Sequence, residues 1–386
     1  MLWEIARIFL RLGAVSFGGP LAHIALMRSE FVERRQWLSD QQFLDLNGAV
    51  NLIPGPNSTE LAMHIGHKRA GNAGLWVAGA CFIFPALVLV LILSALYAKY
   101  GTLPQSRAMM WGISPVVVAI VGQALWKFAP AALKNRLAQG VAVVALLAAV
   151  VSVGEVPIIF AAAALGLIVA AFEARQIPHN PAPKPIEEPE TPTEPPGVFL
   201  ILAAPLLPAQ VSAVFWSFLK IGSVIYGSGY VLLAYMRAEF VEKLGLISDR
   251  QLLDAVAVGQ MTPGPLFTSA TFVGWQIGGL GGALAATAGI FLPSFVFVMI
   301  LARFLGRLSG SPRARTFLDC VNAASFALMV VVTMQLARAA FLADFRLDGG
   351  AIAIFVVAAL LLWKTRWNSA LWLALGALVG LVLGPR

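Results

Sequence analysis

The 386-residue sequence predicts an all-α polytopic membrane protein of about 13 transmembrane spans, built as two inverted-topology repeats with broken helices. Three observations predict it: the composition, a series of apolar stretches of spanning length, and an internal repeat. Hydrophobic residues make up 59% of the chain and charged residues 12%, and the mean hydropathy is +0.82. A soluble domain has no interior large enough to hide that much apolar surface.

Apolar stretches near or above the roughly 18 to 20 residues that cross a bilayer recur at 75–98, 113–127, 141–171, 282–302, 317–336 and from 351 through 363 onward. The opening MLWEIARIFLRLG carries Glu4, Arg7 and Arg11 within its apolar pattern, and no small-residue cleavage site follows. It is expected to remain as structure and not to be removed as a signal peptide. The formal charge of +8 is explained by basic residues collecting in cytoplasmic loops, so no nucleic-acid partner is expected. Cys81 and Cys320 sit in or beside apolar segments and suggest neither a disulfide framework nor a metal site.

Between Arg175 and Gly197 the chain turns to RQIPHNPAPKPIEEPETPTEPPG, an extended cytoplasmic linker. It divides the chain into a first repeat (1–175), the linker (176–197) and a second repeat (198–386). The flanking sequences match at an offset of about 209 residues: MRSEFVERRQWLSDQQFLD becomes MRAEFVEKLGLISDRQLLD. FGGP at 17–20 pairs with YGSG at 226–229, and Pro54-Gly55-Pro56 with Pro263-Gly264-Pro265. After a one-residue slip, Gly66, Gly71, Gly74 and Pro85 meet Gly274, Gly279, Gly282 and Pro293. Basic residues cluster in different loops of the two halves: Lys68/Arg69 has no second-half counterpart, while Arg303, Arg307, Arg313 and Arg315 crowd a loop whose first-half equivalent holds Lys99 and Arg107. Applied to each half, the positive-inside rule gives opposite orientations. Inversion needs an odd number of crossings first. Six helices before the linker plus a short one at 198–211 supply seven, with the N-terminus and linker cytoplasmic and the C-terminus outside.

Function is read from the helix breaks, because within hydrocarbon a broken backbone survives only where protein or a cavity satisfies it. Gly18-Gly19-Pro20 and Pro54-Gly55-Pro56 break the first half, and Gly227-Ser228-Gly229 and Pro263-Gly264-Pro265 the second. A helix N-terminus offers unpaired N–H groups and roughly +0.5 of an elementary charge, so four converging starts would supply about +2 and suit a tetrahedral dianion. The alternative is that the clusters only kink helices or permit close packing; their paired recurrence favours a site. No Gly-x-x-x-x-Gly-Lys-Ser/Thr loop is present, so the energy for transport must come from gradients or a partner. An intramembrane enzyme using Asp45 or Glu60 is the rival from another class, and neither a paired-carboxylate motif nor His-Glu-x-x-His supports it. A passive anion channel on the same half-helices is the third reading.

The ordered motifs SFGGPLAH (16–23), RRQWLS (34–39), NLIPGPNSTELAMHIGHKRAG (51–71) and FIFPA (82–86), with weaker echoes in the second half, resemble the chromate ion transporter family in its long, two-domain form. The resemblance covers nearly the whole chain. It implies export of chromate across a bacterial cytoplasmic membrane, with sulfate as a possible competitor, no cofactor, no enzymatic activity, and a monomer or homodimer in the lipid bilayer. The residues assigned to the oxyanion site are Ser16, Gly18, Gly19, His23, Gly55, Asn57, Ser58, Thr59, Tyr226, Gly227, Ser228, Gly229, Gly264 and Thr268. The second half departs from the family pattern, with YGSG in place of FGGP, so the two halves need not contact substrate equally.

Glu60 fits two roles: a buried carboxyl that couples protons to transport, or an acid capping its own helix. Arg28 and Arg237 are assigned to coupling or gating at the pore mouths, against the plainer reading of ion-paired helix ends. His23, His64 and His67 are too scattered for a metal site and read as satisfied or interfacial histidines.

Overall fold

The computed structural model describes residues 1–176, 208–227, 229–308, 312–343, 346–365 and 367–384. The linker beyond Gln176, most of the candidate helix at 198–211, and Ser228 lie outside the described residues. The first half runs α1 (Leu2–Val15), α2 (Pro20–Arg28), a π-helical segment (Ser29–Arg34), α3 (Asp40–Val50), α4 (Asn57–Tyr100), α5 (Pro104–Ala132), α6 (Arg136–Val150) and α7 (Glu155–Gln176). The second half opens with α8 (Ala209–Val224), a 3-10 turn (Gly229–Val231), α9 (Leu232–Met236) and a π-helical segment (Arg237–Lys243). It continues through α10 (Asp249–Met261), a 3-10 turn (Leu266–Thr268), α11 (Ser269–Leu308), α12 (Pro312–Phe341), α13 (Gly349–Lys364) and α14 (Ser369–Leu383). Between α12 and α13, β1 (Leu342–Ala343) pairs antiparallel with β2 (Arg346–Leu347). The apolar stretch at 141–171 is occupied by two helices, α6 and α7, separated at Val151–Gly154.

Among the described residues, five helical segments are long and apolar enough to cross a bilayer: Asn57–Tyr100, Pro104–Ala132, Glu155–Phe172, Leu266–Ala302 and Ala314–Phe341. α6, α13 and α14 are shorter apolar helices. The class is an all-α membrane protein.

Local chemistry is the same in corresponding places. α3 and α10 each start on a capping box, Ser39 with Gln42 and Ser248 with Gln251, so two orphan N–H groups are satisfied at each start. The preceding segments are π-helical, and a π turn brings residues five apart together. Arg28 accordingly donates to Glu33 Oε1 (2.7 Å) and Arg237 to Glu242. The same arginines reach the first residue of the next helix, Arg28 to Asp40 Oδ1 (2.5 Å) and Arg237 to Asp249 Oδ1 (2.7 Å).

α4 and α11 are not straight. Ala70 and Gly71 leave the helical region at φ −147° and +58°, as do Gly278 and Gly279 at φ −137° and +58°. In a straight helix, residues eight apart are separated by about 12 Å. A Cβ on Gly66 would instead lie 2.3 Å from the carbonyl oxygen of Gly74, and one on Gly274 2.3 Å from that of Gly282. Each helix therefore folds back on itself as a hairpin whose arms touch backbone to backbone, a contact only small residues allow.

The helices of the two halves interlock. α1 packs on α4 and α8 on α11, while α4 and α11 pack on one another. α6 and α7 lie against α12 of the other half, and α13 and α14 lie against α5. Close approaches repeat there too: Gly112 on α5 meets the backbone of Gly376 on α14, and Gly166 on α7 meets that of Phe317 on α12.

Candidate functional site

The four breaks meet in crossed pairs. The N–H of Gly55, in the first Pro-Gly-Pro loop, donates to the carbonyl of Ile225 at the end of α8 (2.9 Å). The N–H of Gly264, in the second loop, donates to the carbonyl of Ser16 at the end of α1 (2.8 Å). Each loop thus closes the broken helix of the other half, and every backbone group so paired is one that hydrocarbon could not have satisfied.

The first crossing joins Ser16–Pro20 to the second-half loop. Gly18 (φ +102°) and Gly19 (φ +79°) face Tyr230, Gly259, Gln260, Thr262 and Gly264 across a cavity of about 10 Å³, room for about one water molecule. α2 starts here on Gly19 without a side-chain cap, unlike α6, α13 and α14, which start on Asn135, Asp348 and Asn368 side chains. His23, 1% exposed, bridges this crossing to the start of α4: its Nε2 lies 3.1 Å from the Ser16 carbonyl and its Nδ1 3.1 Å from Ser58 Oγ. A carbonyl only accepts, so Nε2 carries the hydrogen and Nδ1 accepts from the Ser58 hydroxyl. Both ring nitrogens are engaged, and His23 positions the two starts. Ser16 Oγ donates to the Leu12 carbonyl (2.6 Å).

The second crossing joins Pro54–Glu60 to Ile225–Gly229. α4 starts on Pro56, again without a side-chain cap. Asn57 donates to Asn51 Oδ1 (2.6 Å), and the buried hydroxyl of Thr59 has no partner. Glu60 is fully buried; Ser294, from α11 of the other half, donates to its Oε1 (2.9 Å), and its Oε2 has no partner. Gly55 (φ +140°) presses on this pair, for a Cβ there would sit 2.0 Å from Glu60 Oε1 and 2.3 Å from Ser294 Oγ. Only glycine fits, by conformation and by space. Tyr226 stacks edge-on against Phe317, and Gly227 (φ +94°) abuts Phe128, Asn322 and Ser325.

Of the residues assigned from sequence, Ser16, Gly18, Gly19, His23, Ser58 and Gly264 lie at or beside the first crossing. Gly55, Thr59, Glu60, Tyr226 and Gly227 lie at or beside the second. Ser228 is outside the described residues. Gly229 is buried beside Phe267, and Thr268 spends its hydroxyl on the Pro265 carbonyl (2.8 Å). Arg28 and Arg237 are each held by two carboxylates at the joints between helical segments. His64 is buried with Nε2 unpartnered, and among the described residues no group of three or more His, Cys, Asp or Glu side chains could hold a metal ion. Sequence reasoning missed Tyr230 and Gln260, which flank the second-half breaks and face Gly18 and Gly19, and Ser294, Asn322 and Ser325, which reach the breaks from helices distant in the chain and carry no local motif.

The family model described as chromate transporter matches residues 3–169 and 212–381, which together cover most of the chain. This protein belongs to the chromate transporter family. It is 28% identical over 396 residues to a chromate transport protein of Cupriavidus metallidurans, covering 100% of this chain and 94% of that one. It is 30% identical over 384 residues to one from Pseudomonas aeruginosa (98% and 91%), and 27% identical over 340 residues to a probable one from Synechococcus elongatus (87% and 85%). No solved structure matches the chain. Family membership and the apolar helices together make it an integral membrane transport protein.

Proposed function

We propose that this protein is a secondary transporter, not an enzyme, that exports chromate across a bacterial cytoplasmic membrane by alternating access. The relatives' names carry the substrate. The crossed pairing of Gly55 with Ile225 and Gly264 with Ser16 carries the mechanism, since it joins the halves at the breaks where an oxyanion would meet free N–H groups. The cavity at the first crossing has room for about one water molecule, so seating a tetrahedral oxyanion there requires Gly18 and Gly19 to draw away from the second-half loop. That requirement favours a carrier over a permanently open channel. The two-fold exchange of contacts, together with the opposite placement of basic loops, supports inverted repeats at 1–175 and 198–386 joined by a cytoplasmic linker, with about 13 spans.

The driving force suffices. A dianion leaving a cell across 100 mV, inside negative, gains about 4.6 kcal/mol, more than three decades of concentration. Glu60 would carry a coupled proton: on Oε2 a proton turns an unpartnered acceptor into a donor beside the break. Sulfate, with the same shape and charge, should compete.

Proteoliposomes holding chromate inside should show saturable uptake stimulated by internal chromate or sulfate, as a carrier requires. Flux that rises linearly with concentration and ignores the opposite side would mean a channel. Reporter fusions near Pro185 and after Gly384 should read cytoplasm and exterior respectively; two cytoplasmic readings would rule out inversion.

A further inference from the structure

Ser325 stands apart from most of the hydroxyls in these helices. Ser114, Ser223, Thr287, Thr333 and Thr365 each donate to the carbonyl four residues earlier, the usual way for a hydroxyl to be satisfied in an apolar helix. Ser325, fully buried on α12, makes no such bond, and its Oγ has no partner of any kind. An unpaired buried hydroxyl is costly to keep. It lies against a break: a Cβ on Gly227 would be 3.4 Å from Ser325 Cβ and 3.4 Å from Asn322 Oδ1. Asn322 is one turn before Ser325 on the same face of α12, and half a turn of its amide would put N–H₂ where Oδ1 now stands. Backbone at φ +94°, an amide and an unspent hydroxyl therefore converge beside Tyr226, all donors or able to become donors, at the crossing that also holds the Glu60 carboxyl.

We infer that Asn322 and Ser325 of α12 are substrate-contacting residues, which complete the second-half oxyanion site at the Tyr226–Gly227 break and set its affinity for tetrahedral dianions. The inference rests on the transport reading above and adds to it residues outside every break motif. It also explains how the second half, with YGSG in place of FGGP, binds an anion: side-chain donors from α12 take the place of backbone donors. At the repeat offset of 208 residues Ser325 falls on Val117 of α5, which has no hydroxyl, and Asn322 falls on Ser114, whose hydroxyl is already bonded to Met110, so the device is confined to one half.

The test is chromate uptake by inside-out vesicles, with KM and kcat measured separately and sulfate as competitor. Ser325→Ala should raise KM for chromate and the inhibition constant for sulfate roughly tenfold, the effect of losing one hydrogen bond to a charged group, with kcat little changed. Asn322→Ala should do the same. Asn322→Asp, nearly identical in shape but acceptor-only, should abolish uptake while inserting normally. Ser114→Ala should match wild type. KM values within twofold of wild type for both alanine variants would overturn the inference while leaving chromate transport intact. A wild-type protein that takes up no chromate would instead overturn the parent reading and this one with it.

Discussion

Replacing Gly55 by alanine should damage the site by two separable costs. The first is backbone strain: φ +140° lies where L-residues are rarely found, and such a residue costs roughly 1–3 kcal/mol. The second is displacement of the Ser294–Glu60 hydrogen bond, because the new Cβ would fall 2.0 Å from Oε1 and 2.3 Å from Oγ. Leaving those buried groups unpaired costs about 1–3 kcal/mol more. The total is roughly 2–6 kcal/mol. Gly264→Ala makes the comparison, since it shares the strain (φ +97°) and its Cβ would crowd the methyl of Ala86 at 2.9 Å and lie 3.5 Å from the Gly13 carbonyl oxygen, but it would displace no buried side-chain hydrogen bond. Thermal unfolding in detergent should rank Gly55→Ala below Gly264→Ala, with a matching order in transport rate. In a Glu60→Ala background the Gly55→Ala penalty should shrink, because the main obstacle is gone. Equal penalties for the two glycines, or strict additivity with Glu60→Ala, would refute the packing argument.

The arginine joints should differ although their sequence does not. Arg28 is 45% exposed at its side chain and Arg237 14%, so Arg28→Ala should leave unfolding close to wild type and Arg237→Ala should cost about 1–3 kcal/mol, with substrate KM unmoved by either. Glu60→Gln should abolish the pH dependence of chromate uptake yet keep its response to membrane potential; loss of stability with both responses intact would reduce Glu60 to a capping role. Gly66→Val, which drives a side chain into the Gly74 carbonyl 2.3 Å from its Cβ, should prevent hairpin closure and deplete folded protein in the membrane.

The breaks were legible because proline and glycine clusters amid apolar residues have few other uses, and the repeat gave each break an independent second copy. Capping boxes at Ser39 and Ser248 begin where the aligned S-D-x-Q pattern does. The hairpins were not legible. Gly71 follows the basic Lys68-Arg69 pair and Gly279 lies in the glycine-rich GWQIGGLGG, and nothing local separates a glycine at φ +58° from one that permits close helix packing. The π-helical joints were hidden as well, since SEFVER and RAEFVEK read as charged helix ends until the five-residue pairings are seen in space. Within the site, the backbone of the breaks came from motifs, whereas Ser294 reaches Glu60 across 234 residues and Asn322 and Ser325 arrive by tertiary packing alone. Periodicity and composition hold no record of such contacts.

The most direct test is chromate accumulation by inside-out membrane vesicles under an imposed potential. The vesicle interior corresponds to the cell exterior, so a potential positive inside should drive uptake well above that of empty vesicles, and excess sulfate should suppress it. Uptake equal to the empty control under either polarity, with folded protein confirmed, would contradict the account.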